Sequence, residues 1–133
     1  MAHAEVYILN YNGAHHLGPC LEALSRVELG GHTLGVNVVD NGSSDNSEHT
    51  LAAHGEIVRW LANGKNLGFS CGNNAGVNQM LRKTRAGDSP KPDFHVFLNN
   101  DTSVERQWLL GALEVFSEYP KAGLVGSKSL FWD

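Results

Sequence analysis

The sequence predicts an α/β fold with a mostly parallel sheet covered by helices on both faces. Short β-rich runs alternate with segments whose apolar residues recur at helical spacing, which is the alternation that βαβ units produce. The runs are largely apolar along their length, as strands buried on both faces are. A polar or Gly-rich segment follows each run, so the strand ends share one polar edge.

The elements follow in order. Val6-Tyr7-Ile8-Leu9 reads as a buried strand ending in polar Asn10. Leu17, Cys20, Leu21 and Leu24 recur at i, i+3, i+4 and i+7, one apolar helical face. Pro19, which has no N–H, is expected near the start of that helix. Gly30-Gly31 breaks the pattern, and Val36-Asn37-Val38-Val39 gives a second strand. Asp40-Asn41-Gly42-Ser43-Ser44-Asp45 is a turn, with Ser44 or Asp45 placed to cap a helix running to His54. Residues 57–61 form a third strand, and a Gly-rich loop over 63–72 leads into a helix through Met80 and Leu81. Residues 85–92, with two prolines and no apolar anchor, are expected to be a mobile surface loop. Residues 94–98 are a fourth strand. Leu109, Leu110, Leu113 and Phe116 mark a helix begun near Val104, and residues 123–126 begin a fifth strand. The ending Ser129-Leu130-Phe131-Trp132-Asp133 is strongly apolar; either it packs back onto the core or the domain continues past it.

Composition excludes several classes. At 133 residues the chain has the length of one domain, and 41% hydrophobic with 18% charged residues is ordinary for a globular protein. A formal charge of −4 supplies no field to gather polyanions, so nucleic acid is not an expected partner. No apolar run approaches the ~20 residues of a membrane span, and the first five residues lack the basic and apolar regions of a signal peptide. A cytoplasmic protein with Cys20 and Cys71 reduced is expected. The seven histidines show no metal-ligand spacing. His15 and His16, adjacent on a helix, are expected to face different ways and share no ion.

Parallel sheets bind ligands beyond the carboxyl ends of their strands. The residues there are Asn10-Tyr11-Asn12, Asp40-Asn41-Gly42, residues 63–66 and Asn99-Asn100-Asp101.

Four segments carry a family resemblance. They are Val6 to Gly13; Val38-Val39-Asp40-Asn41-Gly42-Ser43-Ser44-Asp45; the stretch Asn66 to Gly76, of form N-x-G-x-x-x-x-x-N-x-G; and Phe97-Leu98-Asn99-Asn100-Asp101-Thr102. In this order they resemble the opening strand, the D-N-x-S-x-D turn, the third-helix start and the DXD segment of the inverting family 2 glycosyltransferases. That resemblance implies a Rossmann-like GT-A three-layer sandwich. Residues 1–133 would be its N-terminal nucleotide-sugar-binding part, truncated before the acceptor part.

The resemblance also implies roles. Asn10, Tyr11 and Asn12 stand where the family contacts base and ribose, although Tyr11 as a packing residue remains an equal reading. Asp40 accepts a hydrogen bond from a pyrimidine ring N–H, or serves only its own Asx turn. Asn66, Gly68 and Asn73 line the loop and helix start facing base, ribose or phosphates; for the glycines the alternative is a tight loop and nothing more. Asn99 and Asn100 replace carboxylates of the DXD triplet, with Asn99 able to reach a ribose hydroxyl. Asp101 is left as the metal ligand for Mg²⁺ or Mn²⁺, or as a helix cap. One carboxylate is a weak site alone, so the metal should depend on the nucleotide's phosphates.

The expected reaction is inverting transfer from a UDP- or dTDP-sugar to a glycan hydroxyl, and the Asn-Tyr-Asn-Gly and Asn-Asn-Asp-Thr spellings are similar to rhamnosyltransferase-like members using dTDP-rhamnose. The family's general base and acceptor site lie in the second half of its domain, so a non-catalytic donor-binding module is the alternative. A phosphoacceptor signalling domain fits poorly, since no acidic pair follows the first strand. The parent protein is expected in the cytoplasm or at the inner membrane surface, and the apolar ending should favour self-association.

Overall fold

A computed structural model describes residues 1–54 and 57–131. Four strands, β1 (His3–Asn10), β2 (Thr33–Asp40), β3 (Val58–Ala62) and β4 (Phe94–Asn99), alternate with four helices. The helices are α1 (Ala14–Ser25), α2 (Ser47–Leu51), α3 (Phe69–Ala86) and α4 (Trp108–Glu118). The sheet has the order β3-β2-β1-β4, and every pairing is parallel. Val36, Val6 and Val96 lie side by side across three strands. The strand order reverses between β1 and β4, the point at which open α/β sheets take their ligands.

Central β1 is buried on both faces, which is why its run is apolar without alternation. On one face Val6, Ile8, Val36 and Val38 meet Leu17, Cys20, Leu21 and Leu24 of α1, the helical face expected from the spacing. On the other, Tyr7, Val39 and Leu61 pack against Met80 of α3. Each such aliphatic side chain removed from water contributes about 1.5–3 kcal/mol. Gly72 and Gly76 let α3 approach the sheet closely: a Cβ on Gly76 would lie 2.4 Å from Val39 Cγ2, and one on Gly72 2.8 Å from Leu9 Cδ1.

Several expectations need correction. Pro19 lies inside α1, not in its first turn; it leaves the His15 carbonyl without its helical N–H partner, and the buried face of α1 outweighs that loss. The 63–72 loop is shorter, because α3 starts at Phe69 and already includes Gly72. The second helix stops at Leu51, short of His54. Helix α4 begins at Trp108 rather than near Val104. Residues 123–131 form no strand; Leu124 and Phe131 are exposed, and no neighbouring strand supplies a ladder there. Trp132 lies outside the described residues. Helix α3 continues to Ala86 and closes on left-handed Gly87, so only 87–92 remain as surface loop. No helix among the described residues is long and apolar enough to cross a membrane.

The N-terminal end of the sheet holds a buried charge that the hydrophobic pattern hides. Glu5 is fully buried in β1 and pairs with Arg59 at 2.9 Å, while accepting from Asn37 Nδ2 at 2.7 Å and facing His3 Nε2 at 2.9 Å. A Cβ on Gly35 would lie 2.3 Å from the Glu5 carboxylate, so glycine makes the room. Burial, then the nearby Glu5 charge, pushes the Tyr7 hydroxyl up to about 12.

Candidate functional site at the carboxyl edge of the sheet

Asn10 is the hub of the edge. It ends β1 fully buried, and its Nδ2 donates to Asp40 Oδ1 and to Ser43 Oγ, each at 3.2 Å. Its Oδ1 accepts from Asn100 Nδ2 at 3.0 Å. One amide thus ties the ends of β1, β2 and β4 together. Gly13 follows closely, and a Cβ there would lie 2.2 Å from Asn100 Nδ2. Asn10 therefore positions Asp40 and Asn100 and presents no edge to solvent.

Asp40 is also buried, and both its oxygens are in use. Oδ1 takes the Ser43 hydroxyl at 2.5 Å besides Asn10, and Oδ2 takes the N–H groups of Gly42 and Ser43 at 3.2 and 2.9 Å. The Asx-turn reading is thus realised, and a carboxylate's roughly four acceptor positions are filled. Asn12 has φ 49°, and its Oδ1 accepts from Ser44 N at 2.8 Å and Asp45 N at 3.3 Å, so it binds the two turns to each other. Asp45 accepts from Ser47 N at 3.0 Å and from the Ser47 hydroxyl, and so caps α2 from just outside it. That hydroxyl contact first, and the Ala14 N–H further on, hold the Asp45 carboxyl below its ordinary range. Tyr11 stands exposed beside them.

An amide ladder, which sequence reading missed, supports the Gly-rich loop. Asn41 is buried; its Nδ2 donates to the Gly68 carbonyl at 3.1 Å and to Asn66 Oδ1 at 3.4 Å, and its Oδ1 accepts from Asn63 Nδ2 at 2.8 Å. Gln79 Nε2 continues the ladder to Asn63 Oδ1 at 3.2 Å. Asn66 Oδ1 accepts from Gly68 N at 2.9 Å, and Gly68, at φ 77°, turns the chain into α3. That φ favours glycine. Asn73 is buried on the sheet-facing side of α3; its Nδ2 donates to the Phe69 carbonyl at 3.1 Å, and its Oδ1 has no partner among the described residues. The only sequence signal for this ladder was the density of Asn beside Gly.

The third loop is the open one. Asn99 and Asp101 are exposed, and neither side chain makes a hydrogen bond among the described residues. Because α4 starts at Trp108, Asp101 is not used as its cap. The Asn99 carbonyl accepts from the Thr102 hydroxyl at 2.7 Å, and Cys20 Sγ lies 3.8 Å from it. Burial pushes the Cys20 thiol up to about 11. Cys20 and Cys71 are both free, the first buried and the second exposed.

Among the described residues no three His, Cys, Asp or Glu side chains converge on one point. An unengaged Asp101 with amide neighbours still fits a hard divalent cation that takes most of its ligands from phosphates and water, as Mg²⁺ usually does.

The fold matches solved glycosyltransferase structures of GT-A fold. S. aureus TarS 1-349 in complex with UDP-GlcNAc aligns with a TM-score of 0.70 at 17% identity, over 88% of this chain and 32% of that one. A mannosyltransferase from Pyrobaculum calidifontis, in complex with GDP-Man and Mn²⁺, aligns at 0.67 and 18% identity, over 86% and 32%. The chain spans about a third of the length of these structures. No curated protein sequence matches it. The family model for glycosyl transferase family 2 matches residues 5–129, nearly the whole chain and all four polar edge segments, and the chain therefore belongs to glycosyltransferase family 2.

Proposed function

We propose that this chain is the donor-binding part of a glycosyltransferase, taking a pyrimidine nucleoside diphosphate sugar with Mg²⁺ or Mn²⁺ at the carboxyl edge of its sheet. The observation that carries the reading is the Asp40–Asn10–Asn100 chain of hydrogen bonds, which sets a buried acid and an exposed one, Asp101, on adjacent turns. Asp40 would take a base N–H by exchanging one of its two 3.2 Å donors, from Asn10 or Gly42. Tyr11 and Asn66 lie exposed beside it for base and ribose, and Asn99 for a ribose hydroxyl. Asp101 would hold the cation, which when bound neutralises charge on the diphosphate leaving group.

The matched structures hold both uridine and guanosine nucleotides, so the pyrimidine preference rests on Asp40 alone. We place the inverting transfer to a glycan hydroxyl in the whole protein, with its general base and acceptor site outside these residues; the rhamnosyl donor rests only on the two tetrapeptides. A cytoplasmic or inner-membrane-surface setting fits a nucleotide-sugar donor. Exposed Phe97 on edge strand β4 and Phe131 near the chain end favour self-association, which light scattering would register as a mass above that of the monomer.

Calorimetric titration with UDP, dTDP and GDP, each with and without Mn²⁺, tests the reading. UDP or dTDP should bind more tightly than GDP, and Mn²⁺ should strengthen binding at least tenfold (about 1.4 kcal/mol). Asp101→Ala should remove the Mn²⁺ effect. Binding indifferent to both metal and Asp101→Ala would sink the role given to that residue.

A further inference from the structure

The amide ladder beneath the Gly-rich loop has a direction, and backbone groups fix it. Gly68 N–H donates to Asn66 Oδ1 at 2.9 Å, so that oxygen, not the NH₂ group, faces the turn. Asn41 must then present its Nδ2, which donates to Asn66 Oδ1 at 3.4 Å and to the Gly68 carbonyl at 3.1 Å. That orientation turns Asn41 Oδ1 toward Asn63, whose Nδ2 donates to it at 2.8 Å and to the Gly72 carbonyl at 3.3 Å. Asn63 Oδ1 is left to accept from Gln79 Nε2, at 3.2 Å. A primary amide carries its donors on one end and its acceptor on the other, so each member dictates the orientation of the next.

The ladder also joins the loop to the Asp40 turn. Asn41 follows Asp40 directly, and Asn63 N–H donates to the Asp40 carbonyl at 2.8 Å. A Cβ on Gly42, at φ 84°, would lie 2.9 Å from Lys65 Cα, so the turn rests on the loop backbone. Asn66 and Gly68 therefore keep their placement against Asp40 only while the amides keep their direction. Gln79 is the far end of the series, on α3 about two turns beyond Gly72. It is half-buried, and its one side-chain hydrogen bond among the described residues is to Asn63.

We propose that Gln79 and Asn63 are positioning residues for the nucleotide, holding Asn66 and the Gly68 turn in register with Asp40 through the direction of the amide series. The inference rests on the donor-binding reading, which uses Asp40 and Asn66. Direction has a consequence that packing alone does not. Gln79→Glu keeps the size and shape of the side chain but offers only acceptors. Asn63 Oδ1 then meets a carboxylate. If Asn63 turns over, it loses the Gly72 carbonyl and sets its oxygen against Asn41 Oδ1. If Asn41 follows, its oxygen meets the Gly68 carbonyl and Asn66 Oδ1. Each arrangement brings like groups together, whereas Gln79→Leu removes the donor and introduces no such conflict.

The test is calorimetric titration with UDP and Mg²⁺, together with the backbone amide signals of Gly64 and Gly68 in the nucleotide-free chain. Asn78→Glu, on the neighbouring exposed residue of α3, places the same charge outside the ladder and serves as the control. Gln79→Glu should weaken UDP about tenfold and Gln79→Leu about threefold, while Asn78→Glu changes it less than about twofold. The Gly64 and Gly68 signals should move in Gln79→Glu and stay in place in Asn78→Glu. Equal weakening by Gln79→Glu and Asn78→Glu would reduce the effect to charge, and a larger loss in Gln79→Leu than in Gln79→Glu would reduce it to packing; either overturns the positioning role. Should Gln79→Glu fail to fold, a Gln79→Leu chain that melts normally and binds UDP with unchanged affinity overturns it as well. All of these leave the donor reading standing. No UDP binding by the unsubstituted chain overturns both.

Discussion

The two ends of the same sheet are both polar and buried, yet they are built to opposite rules. At the amino ends of the strands, Glu5 is fully enclosed and its carboxylate is matched by Arg59, Asn37 and His3. At the carboxyl ends, Asn10 and Asp40 are enclosed too, but the chain runs outward through Asn100 to an exposed, unengaged Asp101, and Asn73 Oδ1 lacks a partner among the described residues. Burying a polar group therefore does not by itself mark a site. A saturated network holds the fold, whereas acceptors left over at one edge are available to a ligand.

Three substitutions separate the two ends by experiment. The largest effect should come from Glu5→Ala, which leaves buried Asn37 and half-buried Arg59 without their shared acceptor; breaking a fully buried pair costs about 3–5 kcal/mol, and the exposure of Arg59 sets that as the upper bound. Urea denaturation should show that loss, and a destabilisation under 1 kcal/mol would contradict the structural role given to the amino end. Asn10→Ala should cost less, about 1–3 kcal/mol for the groups left unsatisfied, but should also weaken nucleotide binding, because Asp40 and Asn100 lose their common tether. Asp101→Ala should move stability least, within about 0.5 kcal/mol, as an exposed side chain without a hydrogen-bond partner among the described residues. If it proved as destabilising as Asn10→Ala, the carboxyl edge would be as closed as the amino end.

Alkaline titration probes the enclosed interior, on the sheet at Tyr7 and on α1 at Cys20. Cys20 is raised from 9.0 to about 11 and Tyr7 from 10.0 to about 12, each chiefly by burial. Both folded values lie above the unfolded ones, so their contribution is whole below pH 9. It is lost as the unfolded chain ionises first, progressively up to pH 11 and 12. Thermal melts should therefore fall above pH 9, and Cys20→Ala should flatten the first part of that fall.

Much of the fold was legible because each strand run and each helical face repeats its own period. Leu17, Cys20, Leu21 and Leu24 land together on one buried face, as their spacing requires. Boundaries were less legible. Pro19 sits within α1 because packing overrode a local preference, and the 123–126 run forms no strand because no neighbouring strand pairs with it. At the site, the order of the polar edge segments could be read from sequence, but not which side chains are spent on one another. Asn10, Asp40 and Asn12 were expected to face a ligand, yet most of their hydrogen-bonding capacity is used within the chain. His15 and His16, expected to diverge, share a cleft.

The alternation of strands and helices, the edge at which the polar segments gather and the single carboxylate of the Asn99-Asn100-Asp101 triplet are written in the residues themselves, because periodicity and residue chemistry are local properties. Which of those polar groups are saturated depends on folding, through contacts such as Asn10 to Asn100 across 90 positions. Folding likewise locks Glu5 at one end of the sheet and leaves Asp101 open at the other, because satisfaction depends on what lies opposite in space and not on what lies adjacent in the chain.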